Sequence, residues 1–177
     1  TWPNNLKMTL PGRLKLQKFL YQARRAGVKY VVLEATSEGI AQNRLAGVAI
    51  DCAIFTNLHR EHLESHGSFE NYMAAKQKLF LKVRGIHVLN IDDPYFEKFA
   101  NFPARHKVTY GAKWGIINIS KIRNQKSKLG LRLLGEFNEY NALAALAVAH
   151  AYNLDADKAI ASLNSIESVP GRMEIID

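Results

Sequence analysis

The stretch Thr56 to Phe80, TNLHREHLESHGSFENYMAAKQKLF, places His59, His62 and His66 among the acids Glu61 and Glu64, and then sets a lysine on the apolar side of a helical pattern. Tyr72, Ala75, Leu79, Phe80 and Val83 follow the i, i+3, i+4, i+7 recurrence of a core-facing stripe. At about 100° per residue, Lys76 falls inside that stripe, between Phe80 and Val83, while Lys78 points almost the other way. Burial disfavours an ammonium, so a lysine held there can become neutral and nucleophilic. Three fates are open to it. Its stem can lie along the apolar surface with the charge at the rim; it can pair with Glu61 or Glu64; or it can take up carbon dioxide as a carbamate, which turns a buried cation into a carboxylate-like metal ligand. The third fate needs a cation close by, and the candidate companions are His62, upstream on the same stretch, and Glu34, at the end of an earlier apolar run. Oxygen and imidazole donors suit Mg²⁺ or Mn²⁺, with water and phosphate oxygens completing the shell. The histidines do not fit the HExxH zinc pattern, and a lone cysteine, Cys52, supplies neither a structural zinc site nor an internal disulfide.

These side chains need elements to position them. Residues 13 to 26, RLKLQKFLYQARRA, carry Leu16, Phe19, Leu20 and Ala23 at helical spacing, with Gly27 where a C-terminal cap belongs. The runs KYVVLE, CAIFTN and IHVLNI read as strands buried on both faces, and KVTYG adds another. Helical segments near 38 to 46 and 70 to 83 separate them, which gives the α-β-α-β-α-β order of an α/β fold with a mostly parallel, helix-covered sheet. The strands end in Glu34, in Thr56 and Asn57, and in Asn90, Asp92 and Asp93. Any one of these reads as a turn residue or cap; three in series point to a site, because ligands of open α/β sheets gather outside the carboxyl ends of the strands. Between 112 and 134 the short runs IINIS and LRLL flank the polar KIRNQKSK, the pattern of a small antiparallel hairpin or a loop. FNEYNALAALAVAHAYN is an Ala-rich helix with Asn138 and Asn141 at its start, and Asp155 is the N-cap of a further helix.

At 177 residues the chain has room for one domain. Its formal charge of +8 raises the possibility of nucleic acid. The basic residues are scattered, however, in groups such as KLQKFLYQARR and KIRNQKSK, without the interleaved aromatics of an RNA-binding sheet. Small polyanions such as nucleotides suit this field better, and no nucleic-acid partner is expected. No run of eighteen apolar residues and no leader pattern is present, so the expectation is a cytoplasmic protein without a membrane span. Cys52, in AIDCAIF, reads as a buried thiol in or beside a strand.

TNLHREHLESHGSFENYMAAKQKLF, LEATSEGIAQNR, LNIDD, GEFNEYNALAALAVA and VPGRME, in that order, resemble the central domain of the Mur ligase family from about Met8 to Glu174. The closest type is the ligase that adds the third amino acid to UDP-N-acetylmuramoyl-L-alanyl-D-glutamate. The resemblance implies ATP-dependent amide formation through an acyl phosphate, in peptidoglycan precursor synthesis and hence cell-wall biogenesis, with ATP and Mg²⁺ (or Mn²⁺), a UDP-N-acetylmuramoyl-dipeptide and a free amino acid as partners, by a monomer. It implies that Lys76 matches the family's carbamylated lysine, His62 the histidine of its DHL segment and Glu34 its metal-binding glutamate. Thr9, Thr36, Gln42 and Arg44 match positions that contact the UDP-muramoyl substrate, Asn138 and Asn141 the adenine-side pair, and Arg172 an ATP-side arginine. MTLP in place of TTP, and EATSEG in place of EVSSHG, depart from the family at Leu10, Thr36 and Glu38. No G-x-x-x-x-G-K-[ST] segment occurs. Residues 1–177 are therefore expected to be an incomplete central domain, without the phosphate-binding loop or the N- and C-terminal domains, and inactive by themselves. A folylpolyglutamate synthase or cyanophycin synthetase shares this architecture, and a non-catalytic binding module is the alternative from another class. The added amino acid is not legible, with meso-diaminopimelate and L-lysine as the choices.

Overall fold

In the computed structural model, residues 10–59, 63–118, 129–133 and 135–168 are described. They fall into two compact units, one drawn from Thr1–Ile50 and His59–Lys82, the other from Asp51–Leu58 and Val83–Asp177.

The continuous apolar runs of the second unit form its sheet. β1 (Cys52–Phe55), β2 (Ile86–Asn90), β3 (His106–Gly111) and β4 (Ile117–Asn118) lie side by side in that order. Every pairing is parallel, with registers Cys52↔Ile86, Ile86↔His106 and Tyr110↔Ile117. Val88, Leu89 and Val108 are wholly buried, as strands covered on both faces require. One cover is the Ala-rich helix α6 (Glu136–Ala151), whose Leu143, Leu146 and Ala147 join Val88, Val108 and Tyr110 in the core with Ile160 of α7 (Ala156–Asn164). The short helix α5 (Phe96–Ala100) contributes Phe99, stacked on Phe55 with ring centroids 4.1 Å apart. The Asp155 side chain caps α7 by accepting from Lys158 N–H at 3.0 Å, as its position in the sequence predicts.

The first unit is helical. α1 (Arg13–Arg25) ends as its glycine predicts: Gly27 has φ +74°, its N–H reaches Arg24 O, and Val28 N–H reaches Ala23 O. Leu16 packs with Leu10, Ile40 and Leu45, and Phe19, Leu20, Leu33 and Leu79 close around them. α2 (Ser37–Ala41), α3 (Leu63–His66) and α4 (Phe69–Lys82) complete the unit, with α2 packed on α4.

Two expectations need correction. KYVVLE forms no strand: Val28 to Ala35 joins no ladder among the described residues, and Val32 is 88% exposed. An apolar run specifies a strand only where a neighbour accepts its backbone groups. The antiparallel hairpin also differs, since β4 runs parallel to β3 and Leu131–Leu133 lie outside any strand. The rest of that region, 119–128, lies outside the described residues.

Candidate active site

α4 carries the lysine. Ser68 Oγ accepts from Asn71 N–H at 3.1 Å and closes the first turn, and Tyr72, Ala75 and Phe80 are buried along the inner stripe. Lys76 is half-buried within that stripe, its Nζ 5.3 Å from the centroid of the Tyr72 ring. The electron-rich face of a buried tyrosine is thus one of the groups that hold the cation. Glu64, one of the carboxylates considered for it, is exposed.

Thr36 is the N-cap of α2: its Oγ1 accepts from Gly39 N–H at 3.1 Å, which leaves the hydroxyl proton to meet a ligand oxygen. The helix is capped by Gln42, and Asn43, just beyond it, adopts φ +53°, a conformation that asparagine tolerates. Arg44 N–H then bonds Gly39 O at 2.9 Å, and the guanidinium is gathered close. Its Nε and Nη2 donate to Gln42 Oε1 at 2.9 and 2.6 Å, and its Nη1 to Leu10 O at 2.6 Å. Gln42 and Arg44 are therefore one cluster. Glu34 is exposed on the extended segment before the cap. Ser37, which the sequence reading passed over, is 2% exposed and its Oγ lies 2.9 Å from His66 Nε2.

In the second unit the polar strand ends brace one another. Asn90 Nδ2 donates to Thr56 O at 2.7 Å, and Asp93 accepts from Leu58 N–H at 3.0 Å and from Tyr95 N–H at 2.9 Å. Asp92 accepts from Ala112 N–H and from the Tyr140 hydroxyl, at 2.6 and 2.9 Å. Tyr140 holds the first turns of α6 against the end of β2; partial desolvation and this bond to Asp92 push its hydroxyl up to about 12. Asn138 is not the helix cap, because Gly135 (φ +97°) occupies that position. Asn138 stands one turn before Asn141, whose Nδ2 donates to Asn138 Oδ1 at 3.2 Å, so the two amides form a polar pair near the start of α6. The Tyr140 brace escaped sequence reading, since a tyrosine in an apolar helix reads as core. Its signal was the Asp-Asp at the end of β2.

Thr9, His62 and Arg172, with Glu61, lie outside the described residues. Glu34, Thr36, Gln42, Arg44 and Lys76 belong to the first unit, Asn138 and Asn141 to the second. Among the described residues no group of three or more His, Cys, Asp or Glu side chains could hold a metal. The described part of the expected ligand set is thus Glu34 and Lys76.

The second unit is a parallel sheet with polar residues at its strand ends, where ligands of open α/β sheets gather, and the first unit carries the lysine on the inner stripe of α4. Residues 2–149 match the Mur ligase middle domain, and the chain belongs to that family. It is 34% identical to the UDP-N-acetylmuramyl-tripeptide synthetase of Roseiflexus sp. (strain RS-1), over 99% of this chain and 40% of that protein. It is 32% identical to the UDP-N-acetylmuramoyl-L-alanyl-D-glutamate--2,6-diaminopimelate ligase of Fusobacterium nucleatum subsp. nucleatum, over 96% of this chain and 38% of that protein. A solved structure of a ligase of the latter name superposes with a TM-score of 0.81 at 29% identity, covering 94% of this chain and 38% of that one. The chain spans about two fifths of the length of these curated relatives.

Proposed function

We propose that residues 1–177 are the central portion of an ATP-dependent acid–amino-acid ligase that adds the third amino acid to UDP-N-acetylmuramoyl-L-alanyl-D-glutamate, acting in the cytoplasm as a monomer. The observation that carries the reading is Lys76, half-buried on the inner stripe of α4, in a chain about one-third identical to ligases whose names specify this acceptor. The amine proposed is 2,6-diaminopimelate, the one in those names, with L-lysine as the competitor.

In this reading Arg44 and the Thr36 hydroxyl orient carboxylate oxygens of the acceptor, Gln42 holds the guanidinium in its fork, and Thr9 adds a contact. Asn138 and Asn141 offer paired amides to the adenine edge, and Arg172 is the ATP-side arginine. The donor set fits a hard divalent cation: carboxylate from Glu34, imidazole from His62 and oxygen from a carbamylated Lys76 are ligand types that Mg²⁺ accepts, and Mn²⁺ more readily. When bound, the ion supplies neutralisation of phosphate charge. The acceptor carboxylate attacks the γ-phosphorus and ADP departs. The amine nitrogen then attacks the acyl carbon, loses a proton, and phosphate leaves with the former carboxylate oxygen. The residues of this chain contribute alignment, which is where phosphoryl transfer gains most of its rate.

The test is phosphate release by the full-length gene product, with ATP, Mg²⁺ and the UDP-dipeptide, over both amines. Release should require acceptor and amine together and should favour 2,6-diaminopimelate. ATP hydrolysis indifferent to the acceptor would remove the reading.

A further inference from the structure

We propose that Ser37 and His66, to which the reaction above assigns nothing, form a positioning pair that sets the Lys76-bearing helix against the acceptor-contacting turn. The proposal rests on the functional reading just given. Ser37 is the first residue of α2, directly after the Thr36 cap, and is 2% exposed. His66 ends α3, and its Nε2 lies 2.9 Å from Ser37 Oγ, a contact between residues 29 apart in sequence. Ser37 Oγ in turn donates to Glu38 Oε2 at 3.4 Å. With the serine proton directed to the carboxylate, the imidazole is the donor to Oγ, and His66 carries its proton on Nε2.

The pair is tied to Lys76 by two further contacts. Asn71 Nδ2 donates to His66 O at 3.0 Å, which fixes the α3–α4 junction to the first turn of α4. The His66 ring is tilted against Tyr72, with centroids 5.6 Å apart, and Tyr72 is the ring over which Lys76 Nζ sits. The line from Thr36 to Lys76 therefore runs along the chain to its neighbour Ser37, and from there through the side-chain contacts of Ser37 with His66, His66 with Tyr72 and Tyr72 with Lys76. Neither Ser37 nor His66 needs to meet substrate for this; each acts through its neighbour. A displacement of about 1 Å at the reacting atoms is enough to cost about a hundred-fold in rate, so such a link is kinetically visible.

The experiment is a double-mutant cycle in the full-length ligase with Ser37→Ala, which deletes the acceptor oxygen, and His66→Phe, which keeps a ring against Tyr72 and deletes the donor. Each single change should lower kcat/KM for the UDP-dipeptide by roughly ten-fold with the KM for ATP unchanged, and the double variant should lose little more than either. His66→Gln, which restores an N–H donor, should recover most of the loss. Additive losses of about a hundred-fold, wild-type rates in the singles, or a parallel loss of ATP binding would overturn the pair. A second readout needs no turnover: the long-range ¹H–¹⁵N spectrum of His66 should show the Nε2–H tautomer and should shift on Ser37→Ala. An Nδ1–H tautomer or an unmoved spectrum would also overturn it. An inactive wild-type enzyme with the expected spectrum would instead dismiss the ligase reading and leave the hydrogen bond standing.

Discussion

Lys76 sits where two chemistries compete. The face of Tyr72, 5.3 Å from Nζ, stabilises an ammonium by about 0.5–2 kcal/mol. Carbamate formation, in contrast, consumes the neutral amine, which is scarce well below the ordinary lysine range near pH 10.4. Carbamylation of Lys76 should therefore grow with bicarbonate and with rising pH between about 7 and 9; ¹³C-bicarbonate labelling read by ¹³C NMR, with Lys76→Ala as the blank, measures it. In the full-length ligase Lys76→Ala should abolish ligation, and short carboxylic acids should restore part of it. Cys52 offers a check on the packing instead. Burial, reinforced by Asp51, pushes its thiol up to about 11 from 9.0. A raised acid pKa means that the folded state keeps its proton longer than the unfolded state, so this contribution is intact below pH 9 and is lost as pH rises towards 11. The thermal midpoint should fall across that window, and fall less in Cys52→Ala. The inward place of Lys76 was legible from the helical period, but its aromatic seat was not, because periodicity places Tyr72 in the core without saying what lies over its ring.

Elements were legible where their own residues complete them. α1 with its Gly27 cap, α7 with Asp155, and the runs that became β1, β2 and β3 could be read because local chemistry and tertiary burial agree there. KYVVLE could not, since its apolar continuity records a preference for burial while the ladder depends on a partner strand. The start of α6 was legible only to within a turn: Gly135 takes the cap position, which leaves Asn138 in the first turn. A sharper test of the sheet lies at Gly85, just before β2. A Cβ built there would meet Asp51 O at 2.2 Å, the same oxygen that accepts from Ile86 N–H at 2.8 Å where β1 and β2 begin to pair. No rotamer relieves a clash with backbone, so Gly85→Ala should destabilise the protein by about 1–3 kcal/mol. Urea unfolding of the isolated chain would report this as a lower midpoint at unchanged slope. At the other end of β2, Tyr140→Phe should weaken ATP binding in the full-length ligase several-fold, because it releases the start of α6, with Asn138 and Asn141, from Asp92; titration with a nucleotide analogue checks it.

At the scale of the molecule, the charge of +8 supplies a field for polyanions without supplying an anchor for them. Phosphate-cradling N–H groups and a P-loop lysine each contribute charge-assisted bonds of about 1.5–3 kcal/mol, and the sequence holds no G-x-x-x-x-G-K-[ST] segment. Residues 1–177 alone should accordingly give no detectable ligation even with Glu34, His62 and Lys76 in place, and ligation should appear when flanking sequence is supplied. Acceptor-dependent ATP turnover by the isolated chain would mean that a phosphate site exists within it. For the full-length protein, the most direct measurement follows the oxygen. UDP-N-acetylmuramoyl-L-alanyl-D-glutamate labelled with ¹⁸O in its glutamyl carboxylates is turned over with ATP and 2,6-diaminopimelate, and the released phosphate is analysed by mass. Ligation through an acyl phosphate carries an acceptor oxygen into the phosphate, so ¹⁸O-phosphate should accumulate in step with the tripeptide product; unlabelled phosphate, or labelled acceptor returned unchanged while ATP is consumed, would contradict it.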